Sequence, residues 1–446
     1  MSASDGATPA ATAPAALAAA SDKAAAASYS YYVLAILTLV YTFNFIDRQI
    51  IGILSPAIKE DLGLSDSMLG LLKGLAFAVL YTTLGIPIAW LADRRNRVTI
   101  ITVSLTVWSA FTALSGLAGN AVQLALARVG VGIGEAGGSP PSHSLIADYF
   151  PKEKRAHALG IYSLGIPFGQ ALAFLAGGWV LETFGWRNAF FLVGIPGVVV
   201  AILLKLTVKE PKRGAMDPEA AARAPVHFKD GLKTLLKIPT YWGLLAGTTL
   251  ASFTGYGIGM WTVDFYRRTY ELSYTDITLP LALLNGAAYG VGTYFGGYAT
   301  DRLGGKDKGA YAWIPGVGML LTIPAGWLSL WSATPFWAFF WTAPFLVGLG
   351  FYLGPSWSVI QTLAPVNLRA FAVAVFFFVL NIIALGFAPL WIGAISDVFA
   401  TEHGEVMSLR ISLSTLGLSS LLAALAFFWT ARRLPADWAK AVAETS

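Results

Sequence analysis

The chain has 446 residues, of which 56% are hydrophobic and only 12% charged, about half the roughly 25% charged fraction of a soluble domain. Mean hydropathy is +0.63, more apolar surface than soluble cores can hide, and the absence of cysteine excludes a disulfide framework. The net charge of +5 does not point to nucleic acid, because the basic residues sit in short loops between apolar runs, which is the pattern of membrane topology. The apolar runs are long and continuous, unlike the short alternating segments of a β-barrel. The expected class is an all-α polytopic membrane protein.

Residues 1–28 are Ala-rich with one Lys and two Asp. No basic region leads into a strong apolar stretch, so this is expected to be a disordered tail, not a cleaved signal. A spanning helix needs about 20 apolar residues, and twelve such stretches follow: roughly 31–56, 68–92, 98–118, 121–148, 154–181, 187–207, 240–266, 276–300, 310–331, 335–364, 368–396 and 406–431. They divide into an N-terminal six-helix bundle (29–208) and a C-terminal one (239–434), joined by a linker (209–238) and followed by a tail (435–446). The linker carries Lys209, Lys212, Arg213, Arg223, Lys229, Lys233 and Lys237, and its Lys229–Lys237 part reads as a basic amphipathic helix on the membrane surface.

Charge sets the orientation. With the N-terminus inside, the inner segments hold 22 Lys and Arg against five outside. Both termini are therefore expected in the cytoplasm, and the chain in the inner membrane.

The two halves repeat. After the second span comes Ala89-Trp90-Leu91-Ala92-Asp93-Arg94-Arg95-Asn96-Arg97, and after the eighth Gly297-Tyr298-Ala299-Thr300-Asp301-Arg302-Leu303-Gly304-Gly305-Lys306. The Asp-Arg pairs lie 208 residues apart at equivalent helix ends. Duplicated six-helix halves point to a transporter with its site between them.

These loops resemble the signature G-x-L-A-D-R-x-G-R-K of the major facilitator superfamily. The first copy departs from it at Ala89, Asn96 and Val98, the second at Ala299, Thr300 and Gly305. Arg128-Val-Gly-Val-Gly-Ile-Gly134 resembles the fourth-helix signature of that superfamily, and Gly185-Trp186-Arg187-Asn188-Ala189-Phe190 and Glu210-Pro211-Lys212-Arg213-Gly214 are similar to further recurring segments. The resemblance covers about residues 30–435. Asn44-Phe45-Ile46-Asp47-Arg48 together with Gly132-Ile133-Gly134-Glu135-Ala136 resembles the spinster-type branch. It implies two pseudo-symmetric bundles, gating contacts at Asp93, Arg94, Arg97, Asp301 and Arg302, and proton coupling through the helix 1 and helix 4 charges. Spinster-type relatives in animals move sphingosine-1-phosphate and lysophospholipids.

Independently of any resemblance, a charge at mid-bilayer costs roughly 2.5–3.5 kcal/mol and is a functional candidate by default. Asn44, Asp47 and Arg48 share one helical face, and Arg128 and Glu135 lie two turns apart on another. Two readings stay open for Asp47, Arg48, Arg128 and Glu135: a fixed ion-pair lock between helices 1 and 4, or a proton switch. In the second, Asp47 and Glu135 accept protons and Arg48 and Arg128 act as partners or anion ligands. Lys73 lies close to the outer edge and is expected to snorkel. His143 follows Pro140-Pro141, where helix 4 must kink, and reads as capped or solvated.

The C-terminal half has no deep charge. Helix 7 reads Phe253-Thr-Gly-Tyr256-Gly-Ile-Gly-Met260-Trp261, uncharged until Asp264, and helices 10 and 11 are rich in Phe and Trp. An amphipathic substrate matches this division. Its anionic or zwitterionic head would meet Arg48, Arg128 and Asn44, and its tail would lie against Tyr256, Met260, Trp261 and the aromatic helices. Small organic anions or drugs carried with protons form the second reading, and a non-transporting receptor or lipid-binding scaffold a third of another class. Gly132-Ile133-Gly134-Glu135-Ala136-Gly137 matches a dinucleotide fingerprint only formally, since it lies inside an apolar helix. No P-loop, metal-ligand set or nucleophile elbow is present, so no catalytic residue, cofactor or metal is expected. The protein is expected to be a monomer.

Overall fold

The computed structural model describes residues 13–214, 216, 228–365 and 368–443, and every regular element among them is helical. The first half comprises α1 (Ala13–Leu62), α2 (Asp66–Ala92), α3 (Arg97–Ser115), α4 (Ala121–Glu135 and Ser139–Tyr149), α5 (152–184) and α6 (186–207). A short helix, Phe228–Leu236, lies in the linker where a basic amphipathic helix was expected. The second half comprises α7 (Pro239–Tyr270), α8 (274–304), α9 (Ala310–Leu330), α10 (Pro335–Leu363), α11 (369–403) and α12 (405–443).

Local chemistry sets the boundaries. Ser65, Asn96, Asn120 and Ser273 cap α2, α3, α4 and α8, each side chain accepting from a backbone N–H three residues on. Ser65 and Ser273 keep the 208-residue offset of the Asp-Arg loops, so the repeat extends to the caps. α4 breaks just before Ser139, and Pro140 and Pro141 open its second piece. The α5–α6 and α11–α12 corners turn on Gly185 and Gly404, with φ of 77° and 74° and ψ of 166° at both. That region of backbone space is essentially reserved to glycine.

One expectation about the ends needs correction. The Ala-rich stretch is helical from Ala13 and runs unbroken into α1; alanine is the strongest helix former. The tail after residue 434 is likewise helical to Ala443, and Trp438 packs on Tyr311. The expected tail residues 1–12 and 444–446, and linker residues 217–227 with Arg223, lie outside the described residues.

One apolar core belongs to the second half, and another is built almost wholly from the first. A third takes residues from both, among them Ile50, Leu54, Leu69, Trp261, Ile277 and Ile392. It lies at the end of the bundle away from the chain termini, the distal face. The halves are zipped together there and diverge toward the opposite, termini face. The resulting cavity of about 1290 Å³ reaches Ala89, Gln361 and Arg369, at the termini-face ends of α2, α10 and α11.

Candidate functional site

Asp47 and Arg48 are consecutive on α1, so their side chains leave the helix about 100° apart. Each finds a partner on α4. Arg48 Nε donates to Glu135 Oε2 at 2.8 Å, and Arg128 Nη1 donates to Asp47 Oδ1 at 3.5 Å. The two-turn spacing of Arg128 and Glu135 allows both pairs to form between the same two helices. Thr112 of α3 also donates to Asp47. Gly130, Gly132 and Gly134 seat α4 closely on α2 and α3: a side chain at any of them would strike Phe111, Phe77 or Trp108.

The cluster has two positive and two negative members, and burial sorts them. Asp47, Arg128 and Glu135 are each 1% exposed and lie behind the cavity wall. Arg48 is the member that lines the cavity, its side chain 12% exposed. Its guanidinium sits over the rings of Tyr81 (4.5 Å), Phe45 (5.3 Å) and Phe77 (5.3 Å). Valence remains open inside: Glu135 Oε1, Arg128 Nε and Asn44 Oδ1 are buried with no hydrogen-bond partner among the described residues.

The residues expected to meet substrate therefore separate. Arg48, Tyr256 and Met260 line the cavity. Arg128 and Asn44 do not, because they pack beneath Arg48 in the α1–α4 seam. Trp261 does not either; it is fully buried where the halves meet, donating to the Pro389 carbonyl at 3.0 Å. The aromatic helices divide likewise. Phe336, Trp337 and Phe340 face outward, whereas Phe345, Trp357, Phe377 and Phe378 line the cavity. His143 is an exposed cavity residue with its ring edge-on to Tyr162.

A second charged cluster closes the distal face, and most of it was not anticipated. Lys73 does not snorkel. It is fully buried, 2.7 Å from Asp264 Oδ2 of α7 and 3.6 Å from the Trp261 ring. Ser55 donates to the same carboxylate at 2.6 Å. Arg268 holds Asp66 through two hydrogen bonds of 2.7 Å, and Lys59 bridges Asp66 and Glu405 at 3.0 Å each. Asp397 accepts from the backbone N–H groups of Asp66 and Ser67 at 2.9 and 2.7 Å, at the positive end of α2. All of these contacts except Lys59–Asp66, which joins α1 to α2, cross between the halves.

The repeated loops are apart by comparison. Asp93 and Arg94 are exposed, and Asp93 makes no side-chain bond to a described residue; Arg94 lies over Trp90 at 4.0 Å. Asp301 accepts from Tyr311 at 3.3 Å, and Arg302 donates to Tyr298 at 3.1 Å, both within the second half. Arg97 is buried inside the first half, 2.5 Å from Asp148 and 2.7 Å from Glu210. The termini face is open where the distal face is closed.

Comparison with known proteins fits this geometry. Residues 37–388 match the profile of the Major Facilitator Superfamily. Over 404 residues the chain is 32% identical to an MFS-type efflux pump of Mycolicibacterium smegmatis, covering 90% of this chain and 92% of that protein. Over 427 residues it is 27% identical to a probable L-galactonate transporter of Escherichia coli, covering 89% and 88%. Its fold is similar to the crystal structure of a bacterial homologue of the human lysosomal transporter Spinster in an inward-facing, unoccupied conformation. The TM-score is 0.84 at 32% identity, covering 92% of this chain and 98% of that one.

Proposed function

The chain belongs to the major facilitator superfamily, on its spinster branch, and is a membrane transporter rather than an enzyme; from that premise we propose that it is a proton-coupled carrier of an amphipathic anion, of lysophospholipid or sphingosine-phosphate type. The observation that carries this reading is the one-sided exposure of Arg48, which faces the cavity while its counter-ion Glu135 stays behind it.

The coupling follows from charge balance. Asp47, Arg48, Arg128 and Glu135 sum to zero when all are ionised. An anionic head arriving at Arg48 competes with Glu135 for the guanidinium. The displaced carboxylate is dry and has lost its counter-ion, so it takes a proton. Proton and anion then load together, and the buried cluster stays neutral. Asp47, held by Arg128 and Thr112, is the second proton acceptor in the same seam.

The tail has a place in the second half. Phe265, Phe345, Leu346, Leu349, Leu413 and Leu416 extend the cavity as an apolar arm among α7, α10 and α12. A tail that leaves lipid gains little from an apolar wall, so selection rests on the head. With both termini in the cytoplasm of an inner-membrane protein, as the charge distribution favours, the open side is the inward one. Transport then proceeds by rocking the halves about the central site, alternating the distal latch with contacts at Asp93, Arg94, Arg97, Asp301 and Arg302. The protein acts as a monomer on this reading.

Proton-linked transport of a small organic anion is the second reading. It is favoured by the hydroxyl-rich C-terminal wall and by similarity to the relative named for L-galactonate. Uptake of labelled lysolipid and of a short carboxylate into proteoliposomes separates the two: uptake of the short anion alone rejects the lipid. A non-transporting receptor or scaffold predicts no flux of either.

A further inference from the structure

At the level of Arg48 the second half offers the cavity no charge; among the described residues its only charged lining side chain is Arg369, at the mouth. It offers hydroxyls and amides instead. Thr248, Ser252 and Tyr256 lie at successive turns of α7, and all three line the cavity. Thr248 donates to Ser356 of α10 at 3.0 Å, and Ser252 shares a hydrogen bond of 3.1 Å with Tyr352 of α10. The Tyr289 hydroxyl of α8 faces that of Tyr352. Tyr256 faces Arg48 from across the boundary between the halves.

The backbone is shaped around the same wall. α8 and α11 each contain a π-helical turn, Asn285–Tyr289 and Asn381–Phe387. Such turns are rare, re-aim side chains and gather at functional sites. Here Asn285, Tyr289 and Asn381 all line the cavity. No such turn occurs in the first half among the described residues.

These groups are not spent on one another. Ser252, Tyr352 and Tyr289 carry three hydroxyl protons, and two mutual contacts use at most two, so at least one donor remains for a ligand. The Asn285 amide donates to the Leu281 carbonyl at 2.9 Å, which leaves its own oxygen as an acceptor. An alkyl tail does not match such a surface, since unpaired hydroxyls buried against methylenes cost free energy. A bare anion has no cation here to meet. Alternating neutral donors and acceptors match a polyol.

We infer that this C-terminal wall reads hydroxyl groups on the substrate, so that the head held at Arg48 is an anion bearing vicinal hydroxyls, as in a glycerol phosphate ester or a sugar acid. Tyr352, Tyr289 and Ser252 are then specificity-determining residues. The inference rests on the proposed anion contact at Arg48 and not on the tail.

The test is binding to the purified full chain in nanodiscs, with two probe pairs matched in charge. Lysophosphatidylglycerol is compared with lysophosphatidylmethanol of the same acyl chain, and gluconate with hexanoate. The hydroxylated member is expected to bind about tenfold tighter or more in whichever pair binds, because a site built for a hydroxyl penalises its absence. Tyr352→Phe and Ser252→Ala should reduce that preference to about threefold or less, by weakening the hydroxylated member more than the plain one. Should Tyr352→Phe lower the melting temperature, Tyr289→Phe serves in its place. Equal affinity within every pair that binds, or no binding by any of the four probes, overturns the inference. A preference for gluconate without lysolipid binding keeps it and removes the lipid reading. Lysolipid binding without head preference does the reverse.

Discussion

Lys73 of α2 and Asp264 of α7 meet across the two halves at 2.7 Å, with neither side chain exposed to any degree. Both charges left water to form this contact, which exists only while the distal face is closed. It is therefore a latch, with Ser55 and the Trp261 ring completing the Lys73–Asp264 environment.

Asp264→Leu leaves Lys73 buried without its counter-ion, a change that generally costs about 3–5 kcal/mol. The cost falls on the closed state, because opening rehydrates the lysine. Since the chain has no cysteine, Met260→Cys provides a clean reporter at the cavity wall. Labelling by an impermeant maleimide from the distal side should accelerate about tenfold or more in Asp264→Leu, and Lys73→Met in addition should restore slow labelling. Equal rates in all three would deny the latch.

The Asp47–Arg128 pair separates lock from switch. Arg128→Met strands a buried carboxylate and should lower the melting temperature markedly, the expected loss being about 3–5 kcal/mol. Adding Asp47→Asn should recover most of it. A lock predicts that this stable double variant keeps proton-driven transport; a switch predicts that it loses it. Thermal unfolding and pH-gradient flux on the same preparations give both readings.

Gly185 and Gly404 turn the two equivalent corners, and no atom lies within 4 Å of a Cβ placed on either. Substitution by alanine therefore carries a backbone penalty alone, about 1–3 kcal/mol at each site. Single variants should be less stable by similar amounts, and the double variant by their sum, because the sites are independent. A neutral result at one corner would break the equivalence of the halves.

Much of this architecture was legible in the sequence, for local reasons. Spans, the α4 break at Pro140-Pro141 and the Asp-Arg repeat follow from composition and spacing within single segments. The α1–α4 charge cluster was legible because each pair of charges sits on one helical face. What escaped depends on contacts between distant segments. Lys73 lies near a span end, and hydropathy read one helix at a time gives it no partner; Asp264 is 191 residues away. Arg128 and Trp261 were placed on the cavity wall because their helices line it, but helical rotation puts both behind that wall. The hydroxyls of α7 did leave a signal, in Thr248, Ser252 and Tyr256 at four-residue intervals, set among the aromatics of the same helix.

The central claim is that Asp47 and Glu135 carry the protons that drive transport. Its most direct test is accumulation of labelled substrate in proteoliposomes under an imposed pH gradient, for the wild type, Asp47→Asn and Glu135→Gln. The wild type should accumulate substrate against its gradient, while both variants bind it and exchange it without accumulating it. Undiminished gradient-driven accumulation by both variants would contradict the account and leave the four charges as a structural clamp.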